Sequence, residues 1–287
     1  MKDCGIILVD KPAAITSFDV IRRLRHLTGM RKMGHTGTLD PFATGLLPVC
    51  LGKATRIADR LLGAKKEYLT VLKFGVATNS GDITGKTEST RPIPHWNHAL
   101  ADYITHEVMA LQELNPHPYS AIKLDGVRAY KKARQQEEFT IPSRPVKIFD
   151  FQILSYEAPY LTYRVIVSKG TYIRSLSEKI GKLAGSIATC TELRRLRTGA
   201  LSVDKAVALD QISSENWQNY LRDVAEILTD TPKMVVENKN IASFGSGRTI
   251  TTGHDDEKDI MLVNEAGDCI GFGEISAHQL QPRVVLI

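Results

Sequence analysis

The most informative segment of the chain reads Gly34-His35-Thr36-Gly37-Thr38-Leu39-Asp40-Pro41-Phe42-Ala43-Thr44-Gly45, and the apolar residues 46–51 follow it. Its glycines let the backbone turn tightly and approach a bulky ligand. Its small hydroxyl residues leave one carboxylate, that of Asp40, to project from the loop. By spacing alone, an Asp before Pro is more often a turn former, and His35 is more often a hydrogen-bonded loop histidine.

Hydrophobic patterns on both sides of this segment predict a mixture of strands and helices. A helix is predicted to begin at Thr16-Ser17 and to end at Gly29. The other predicted helices are residues 57–62, 98–114 and 171–183, and the predicted strands are residues 5–9, 46–51, 68–74, 146–156, 160–168 and 193–203. Because strands and helices do not alternate regularly, the pattern predicts an α+β fold rather than a doubly wound parallel sheet.

Charge is distributed unevenly along the chain. From Lys233 to the end there are 5 Lys and Arg against 8 Asp and Glu, and subtraction from the totals leaves 32 basic and 24 acidic residues before it. A basic body suits a polyanionic partner, although an ordinary solvated surface would also fit. A polar linker near residues 229–232 divides the two parts. We therefore predict a main domain of residues 1–231 and a small β-rich domain of residues 232–287.

Several protein classes are disfavoured by the sequence. Its four cysteines form no Cys-x-x-Cys pair, which argues against a zinc site or a disulfide framework. There is no apolar run of about 18 residues and no signal peptide at the start, so we expect no membrane span and a cytoplasmic location. The stretch Gly81-Asp82-Ile83-Thr84-Gly85-Lys86-Thr87 is one residue too short between its glycines to be a phosphate loop.

An unusually basic insert lies between residues 115 and 147. Aromatic residues Tyr119, Tyr130 and Phe139 alternate in it with basic residues, against only three acidic ones. The basic residues are Lys123, Arg128, Lys131, Lys132, Arg134, Arg144 and Lys147. This composition indicates contact with a phosphate backbone, and a solvated pair of charged helices is the alternative.

The segment from Gly34 to Gly45 resembles the signature of TruB-type pseudouridine synthases. Further blocks resemble the same family in the same order. They are the opening Gly5…Asp10-Lys11-Pro12…Thr16-Ser17, Lys66-Glu67-Tyr68, Thr78…Asp82…Gly85, Tyr119-Ser120-Ala121 with Gly126, Ala129-Tyr130 and Ala133-Arg134, Lys169-Gly170-Thr171-Tyr172-Ile173-Arg174, and Leu193-Arg194-Arg195-Leu196. There are two departures: Ala14 replaces a usual glycine, and Leu114-Asn115-Pro116-His117 replaces the preferred Gln-x-Pro-Pro.

The resemblance implies a function and a set of site residues. The protein would isomerise uridine 55 in the T-loop of tRNA to pseudouridine, on a base flipped out of its stack, with Asp40 as the nucleophile. Arg174 would pair with Asp40, and Tyr68 would stack on the uracil and accept a proton. His35, Tyr172 and Leu193 would complete the pocket, and Lys131, Lys132 and Arg134 would bind RNA from a thumb-like insert.

The resemblance also implies a pseudouridine synthase core with a PUA-like C-terminal domain. We expect no cofactor and no metal, because the isomerisation involves no net redox change. The expected partner is the T-arm of tRNA, bound by a monomer. Two alternatives remain: a non-catalytic RNA-binding protein, which would not need Asp40 with Arg174, and an enzyme acting on free nucleosides, which would not need the basic insert. Whether the nucleophile attacks C1′ or C6 stays open.

Overall fold

The computed structural model describes residues 4–120, 123–124, 126–129, 132, 135 and 139–287. The described strands are β1 (Gly5–Lys11), β2 (Met33–His35), β3 (Thr44–Leu51), β4 (Lys66–Phe74), β5 (Val76–Thr78), β6 (Thr87–Thr90), β7 (Glu113–Leu114), β8 (Lys123–Leu124), β9 (Val127–Arg128), β10 (Arg144–Pro145), β11 (Ile148–Glu157), β12 (Tyr160–Val167), β13 (Ala188–Thr198), β14 (Leu201–Ser202), β15 (Val207–Ala208), β16 (Lys233–Val235), β17 (Ile250–Thr251), β18 (Glu257–Val263), β19 (Cys269–Ser276) and β20 (Gln279–Val285).

The α-helices whose bounds the structure describes are α1 (Ser17–Thr28), α2 (Ala58–Leu62), α3 (His98–Met109), α4 (Ile173–Leu183), α5 (Val224–Ile227) and α6 (Asn238–Gly245). Short 3₁₀ helices span Gly52–Ile57, Val203–Lys205, Leu209–Gln211 and Trp217–Tyr220. None of the helices in the described ranges is long and apolar enough to cross a membrane.

The chain forms two compact units. Unit 1 comprises Met1–Asp40, Leu46–Leu62 and Ala200–Ile287, and unit 2 comprises Pro41–Gly45 and Gly63–Gly199. The sequence suggests a boundary near residue 231. The two units are divided differently, because the residues from Ala200 to the C-terminus pack in the same unit as Met1–Asp40 and Leu46–Leu62. The boundary at residues 231–232 stays a prediction.

Unit 2 is built on the antiparallel strands β11-β12-β4-β13, in that order. Strand β4 alternates strictly between buried and half-buried residues, which is the pattern of a strand packed on one face. Helix α4 packs against part of that face at Tyr163, whose hydroxyl lies 2.9 Å from Ser177 Oγ. At the edge, β13 pairs in parallel with Thr44 and Gly45 of β3. A Cβ at Gly45 would lie 2.3 Å from the Arg195 carbonyl oxygen, so only glycine fits there.

Unit 1 contains the remainder of β3 in the order β3-β1-β15, and β2 pairs with β3 as a hairpin. Helix α1 begins with a capping box in which the Thr16 hydroxyl accepts from the Asp19 N–H and the Asp19 side chain accepts from Thr16. It ends at Gly29, whose left-handed φ of 71° closes the last turn. Both ends therefore agree with the sequence prediction.

The C-terminal segment of unit 1 forms a five-stranded sheet in the order β16-β18-β19-β20-β17. It has its own apolar core, which includes Phe244, Leu262 and Leu280. Arg60 of α2 forms an ion pair with Asp259 and lies over the Phe272 ring, with its guanidinium carbon 4.0 Å from the ring centroid. The sheet is thus anchored by charged and aromatic contacts to the segment around α2.

The predicted α+β class is confirmed, with a mixed sheet and a C-terminal β-rich part. Two predicted extents were wrong. Helix α3 ends at Met109 rather than near residue 114, because Glu113–Leu114 instead pairs with β10. Strand β13 spans Ala188–Thr198 rather than residues 193–203, since long-range pairing with β4 extends its start over polar residues and the chain turns at residues 199–200 before β14.

The opening loop explains one departure from the family pattern. Ala14 has a φ of 67°, a left-handed conformation that glycine adopts without steric cost. Buried Lys11 stabilises this loop by donating from Nζ to the carbonyl oxygens of Pro12 and Ile15, each at 2.8 Å. The turn therefore holds an alanine in a conformation that favours glycine.

Candidate active site

The loop between β2 and β3 carries Asp40, which is half-buried. The base of the loop is closed by the Thr36 N–H, which donates to the Pro48 carbonyl at 3.1 Å. His35 ends β2 and is also half-buried, and its Nδ1 accepts weakly from the Gly37 N–H at 3.4 Å. The signature segment thus forms a closed loop that holds a single carboxylate.

The residue before Asp40 is clamped by the start of α1. Buried Ser17 accepts at Oγ from the Leu39 N–H at 2.8 Å, and its hydroxyl lies 3.2 Å from the Leu39 carbonyl oxygen. These contacts fix both backbone polar groups of Leu39. Sequence reasoning treated Ser17 only as part of a helix start, although it belongs to the matched opening block. The clamp restricts the backbone immediately before Asp40.

Tyr68 and Leu193 lie on neighbouring strands of unit 2, and both are buried. In the register of β4 with β13, Tyr68 is opposite Arg195 and Thr70 is opposite Leu193. Side chains two residues apart on a strand share a face, so Tyr68 and Leu193 face the same side of the sheet as diagonal neighbours. The sheet thus brings together two of the residues that the sequence predicts for the pocket.

Lys66 lies on the same face of β4, two residues before Tyr68. Burial, together with the nearby positive charges of Arg195 and Lys169, lowers the pKa of the Lys66 ammonium to about 8. Its Nζ donates to the Ala64 carbonyl at 2.8 Å. This end of the face is therefore electropositive.

Arg174, the second residue of α4, is buried in unit 2. Its Nη1 donates to the Ser80 carbonyl at 2.7 Å and lies 3.4 Å from Oδ2 of Asp82. Its Nη2 donates to the Tyr119 carbonyl at 2.9 Å. The guanidinium group is therefore fixed in position. Asp40 belongs to unit 1, and the expected pairing of Asp40 with Arg174 stays a prediction.

Asp82 is held as firmly as the arginine it faces. Its Oδ1 accepts from the Ser80 hydroxyl at 2.8 Å and from the Thr84 N–H and hydroxyl at 3.0 and 2.5 Å. An isolated bridge joins Asp82 to Cys190 of β13. Because Oδ1 is occupied by these donors, Oδ2 is the oxygen that faces Arg174. The turn that superficially resembled a phosphate loop is a support for Arg174.

Sequence reasoning assigned no role to Asp82. A signal was present, because an Asp followed two residues later by Thr is typical of a turn closed by side-chain hydrogen bonds. The position also belongs to the matched block that runs from Thr78 to Gly85. The partner could not be predicted, since Asp82 and Arg174 are far apart in sequence and only packing brings them together.

Tyr172 precedes α4 as its N-cap residue and is half-buried. Together with Phe139 it packs against buried Ala129 and Ile141 of the insert. The insert is therefore connected to the start of α4, within the same unit.

The three basic residues predicted to bind RNA fall partly outside the described ranges. Lys132 is described and is half-buried. Lys131 and Arg134 lie outside the described residues, so their predicted roles stay predictions.

The sequence pattern described as "TruB family pseudouridylate synthase (N terminal domain)" matches residues 25–173. This range is more than half of the chain and includes Asp40, Tyr68, Asp82 and Tyr172. The chain belongs to the TruB family. The resemblance seen in the separate sequence blocks is thereby confirmed.

Relatives of this TruB protein cover its whole length. A protein of Clostridium novyi named tRNA pseudouridine synthase B is 38% identical over 291 residues, which is 99% of each chain. A protein of Psychrobacter cryohalolentis with the same name is 32% identical and aligns over 100% of this chain and 94% of its own. The similarity therefore includes the C-terminal sheet as well as the core.

Solved structures show the same fold at lower sequence identity. The chain titled "Structure of H/ACA RNP bound to a substrate RNA containing 2'-deoxyuridine" has a TM-score of 0.72 and 20% identity. A chain of a Cbf5-Nop10-Gar1 complex has a TM-score of 0.72 and 23% identity. Each match covers 99% of this TruB chain and 85% of the other.

Proposed function

We propose that this chain is a tRNA pseudouridine synthase that converts the T-loop uridine 55 to pseudouridine. The observation that carries the proposal is the near-complete alignment with the Clostridium novyi protein named tRNA pseudouridine synthase B. A chain that shares both the core and the C-terminal sheet has the parts needed for the same reaction. A non-catalytic RNA-binding protein is the less favoured alternative.

The proposed reaction rearranges one nucleotide without a co-reactant. The bond between N1 of uracil and C1′ breaks, the base turns, and a bond forms between C5 and C1′. The hydrogen on C5 leaves as a proton, and N1 gains one, so that substrate and product are isomers. The chemistry requires a nucleophile, a proton acceptor and a pocket that holds the detached base, and it requires no cofactor.

Asp40 is the proposed nucleophile. Attack of its carboxylate on C1′ or on C6 would give a covalent intermediate that the turned base later resolves. A nucleophile is most effective when its backbone is fixed before the substrate arrives, because reacting atoms must align within a fraction of an ångström. The contacts of Ser17 with Leu39 support this role, since they fix the residue next to Asp40.

The buried face of unit 2 is the proposed site for the uracil base. Tyr68 would stack on the ring and accept the C5 proton at its hydroxyl, while Leu193 and Tyr172 line the pocket. Stacking on an aromatic side chain offsets part of the cost of flipping the base out of its loop. His35 would occupy the space that the base leaves.

Arg174 is the proposed counter-charge for Asp40. A guanidinium group with fixed acceptors is already oriented, so little order must be gained when the substrate binds. Its contact with Asp82 and with two carbonyl oxygens supports this role. The pocket would hold Asp40 ionised while water is excluded.

The T-arm of tRNA is the proposed partner. The basic insert, with Lys131, Lys132 and Arg134, would contact phosphates and position the arm without reading its sequence. The shape of the loop and its 2′-hydroxyl groups would provide recognition. We further propose a cytoplasmic monomer with a catalytic domain of residues 1–231 and a PUA-like domain of residues 232–287.

Asp40→Asn tests the proposed reaction. The amide is nearly isosteric with the carboxylate but lacks the nucleophilic charge, so tRNA binding should stay within a few-fold of wild type while turnover becomes undetectable. Release of tritium from tRNA labelled at uridine C5 measures turnover, and filter binding measures affinity. Appreciable tritium release by the variant would exclude Asp40 as the nucleophile. If the unmutated protein binds tRNA but releases no tritium, the RNA-binding alternative is favoured.

Tyr68→Phe and Tyr68→Leu separate the two proposed roles of the tyrosine. Phe keeps the stacking ring and should preserve affinity, yet it should lose most of the rate if the hydroxyl accepts the proton. Leu should lose both affinity and rate. If the Phe variant turns over as fast as wild type in the same tritium assay, stacking alone accounts for Tyr68.

A further inference from the structure

His117 lies two residues before Tyr119 and is only 6% exposed. Its Nδ1 accepts from the Tyr119 N–H at 3.1 Å, and its Nε2 lies 3.3 Å from Oε1 of Glu178. A ring nitrogen that accepts an N–H carries no proton of its own. The nitrogen left to carry the ring proton is Nε2, which is the one 3.3 Å from Glu178 Oε1, so each nitrogen has a defined neighbour.

Helix α4 connects this pair to Arg174. Glu178 follows Arg174 by one helical turn, and residues four apart on a helix lie on the same face. Arg174 donates to the carbonyl of Tyr119, while Glu178 acts through His117 on the N–H of the same residue. Two successive turns of α4 thus fix both backbone polar groups of Tyr119.

The pair also packs against the second segment that holds Arg174. A Cβ at Gly81 would lie 2.7 Å from Glu178 Oε1 and 2.9 Å from His117 Cδ2. Gly81 lies between Ser80, whose carbonyl accepts from Arg174, and Asp82, its ionic partner. The pair therefore contacts both segments that supply acceptors to the guanidinium group.

We infer that His117 and Glu178 are positioning residues for Arg174. They brace the Ser80–Asp82 turn and the Tyr119 backbone against α4, which holds the guanidinium group ready for the reaction. The inference rests on the proposed function for its effect on rate, and on the contacts alone for its effect on the geometry around Arg174.

The first test measures the single-turnover rate constant of the full-length His117→Ala variant with tritium-labelled tRNA bound. This constant describes bound complexes, so it does not depend on the fraction of folded enzyme. It should fall about 10- to 100-fold, as expected when a reacting group is displaced by a fraction of an ångström to one ångström. The dissociation constant for tRNA should stay within about threefold, because the lost contacts act on the reaction rather than on binding.

His106→Ala is the matched control. His106 of α3 also faces a glutamate, with its Nδ1 3.4 Å from Glu107 Oε1, but its side chain is 79% exposed. The rate constant of this variant should equal that of wild type. An equal loss in His106→Ala and His117→Ala, or a wild-type rate constant for His117→Ala, would overturn the inference.

Conservative variants distinguish positioning from general support of the fold. Glu178→Gln keeps an oxygen that accepts from Nε2 and should stay within about threefold of wild type, whereas Glu178→Ala should approach the loss seen in His117→Ala. His117→Asn keeps an acceptor for the Tyr119 N–H and should lose less than His117→Ala. If His117→Ala does not fold, the rates of His117→Asn, Glu178→Gln and Glu178→Ala still test the inference. Equal rates for Glu178→Gln and Glu178→Ala would contradict the inference.

A crystal structure of His117→Ala separates this inference from the proposed function. The Tyr119 carbonyl should move away from Arg174 Nη2, and an unchanged contact of 2.9 Å would overturn the inference whatever the activity. If wild type releases no tritium from tRNA, the proposed function fails, and the geometry of this variant still tests the positioning of Arg174.

Discussion

Two arginine–aspartate pairs in this protein differ in geometry and in burial. In the candidate site of unit 2, Arg174 and Asp82 are 3.4 Å apart, with side chains 4% and 6% exposed. In unit 1, Arg60 and Asp259 make two contacts of 2.6 Å but are 30% and 57% exposed. The pair with the shorter contacts is thus the one that water reaches.

The difference shows that the distance between two charged groups does not by itself determine how much the ion pair contributes to stability. When Arg60 or Asp259 is removed, water solvates the charge of the residue that remains. An exposed ion pair therefore contributes little to stability. Around Arg174 and Asp82 little solvent is present to replace the interaction that is lost when either partner is removed. Carbonyl acceptors on Ser80 and Tyr119 fix the buried guanidinium further. The same two residue types thus link a sheet to a helix in one region and support the proposed reactive site in the other.

The largest effect should come from Asp82→Ala. Loss of the carboxylate breaks the buried ion pair with Arg174, which should lower the free energy of unfolding by about 3–5 kcal/mol and abolish most turnover. Asp259→Ala is the matched variant and should change stability by about 0–1 kcal/mol, with turnover unchanged. Urea unfolding and tritium release measure the two quantities. Similar losses in both variants would invalidate the contrast between the pairs.

Ser17→Ala extends the comparison to a buried group without charge. It removes the partner of the Leu39 N–H, so the free energy of unfolding should fall by about 1–3 kcal/mol and turnover should fall as Asp40 loses its fixed backbone. Ser246, an exposed serine of the C-terminal segment, bonds to the Ala242 carbonyl and serves as the control. Ser246→Ala should stay within about 0.5 kcal/mol of wild type. Unchanged turnover in Ser17→Ala would argue that Leu39 does not need the clamp.

Ala14→Gly should have the smallest effect, and it should be stabilising. Ala14 is exposed and has a left-handed backbone, so replacing it with glycine relieves steric strain in the folded protein. The greater backbone entropy of glycine in the unfolded chain offsets part of this gain, and the free energy of unfolding should rise by about 0.5–1 kcal/mol. Gly29→Ala is the reverse control, because Gly29 has a φ of 71° and no atom within 4 Å of an added Cβ. It should lose about 1 kcal/mol. Thermal unfolding of both variants checks the opposite signs.

Local sequence signals predicted much of the fold. The start and the end of α1 follow from a capping box and a glycine, which act within a few residues. The strand that contains Tyr68 follows from the alternation of residue types over residues 68–74, and the alternating burial of β4 agrees with it. The extents of α3 and β13 were wrong because distant pairing partners, β10 and β4, determine where those elements stop and start. Strand pairing over long sequence distances leaves no signal in the local pattern.

The residues of the candidate site also fall into two groups, those that the local sequence identified and those that only the structure revealed. Asp40, Tyr68, Tyr172, Arg174 and Leu193 were identified from matched blocks, and their roles stay predictions. Asp82 and His117 stand in the same stretches of sequence, yet nothing near them indicates which side chain they face. Glu178 had no signal at all, because an acidic residue on an amphipathic helix is usually solvated.

The sequence by itself determined the family, the α+β class and the carboxylate proposed to react, because each depends on residue types in a fixed order along the chain. Only the tertiary structure decided that Asp82 and the Tyr119 backbone hold Arg174, that Ser17 holds the residue before Asp40, and that His117 joins Glu178. These partners are set by how strands and helices pack. A side chain's partner is fixed by three-dimensional distance, which the order of residues does not specify.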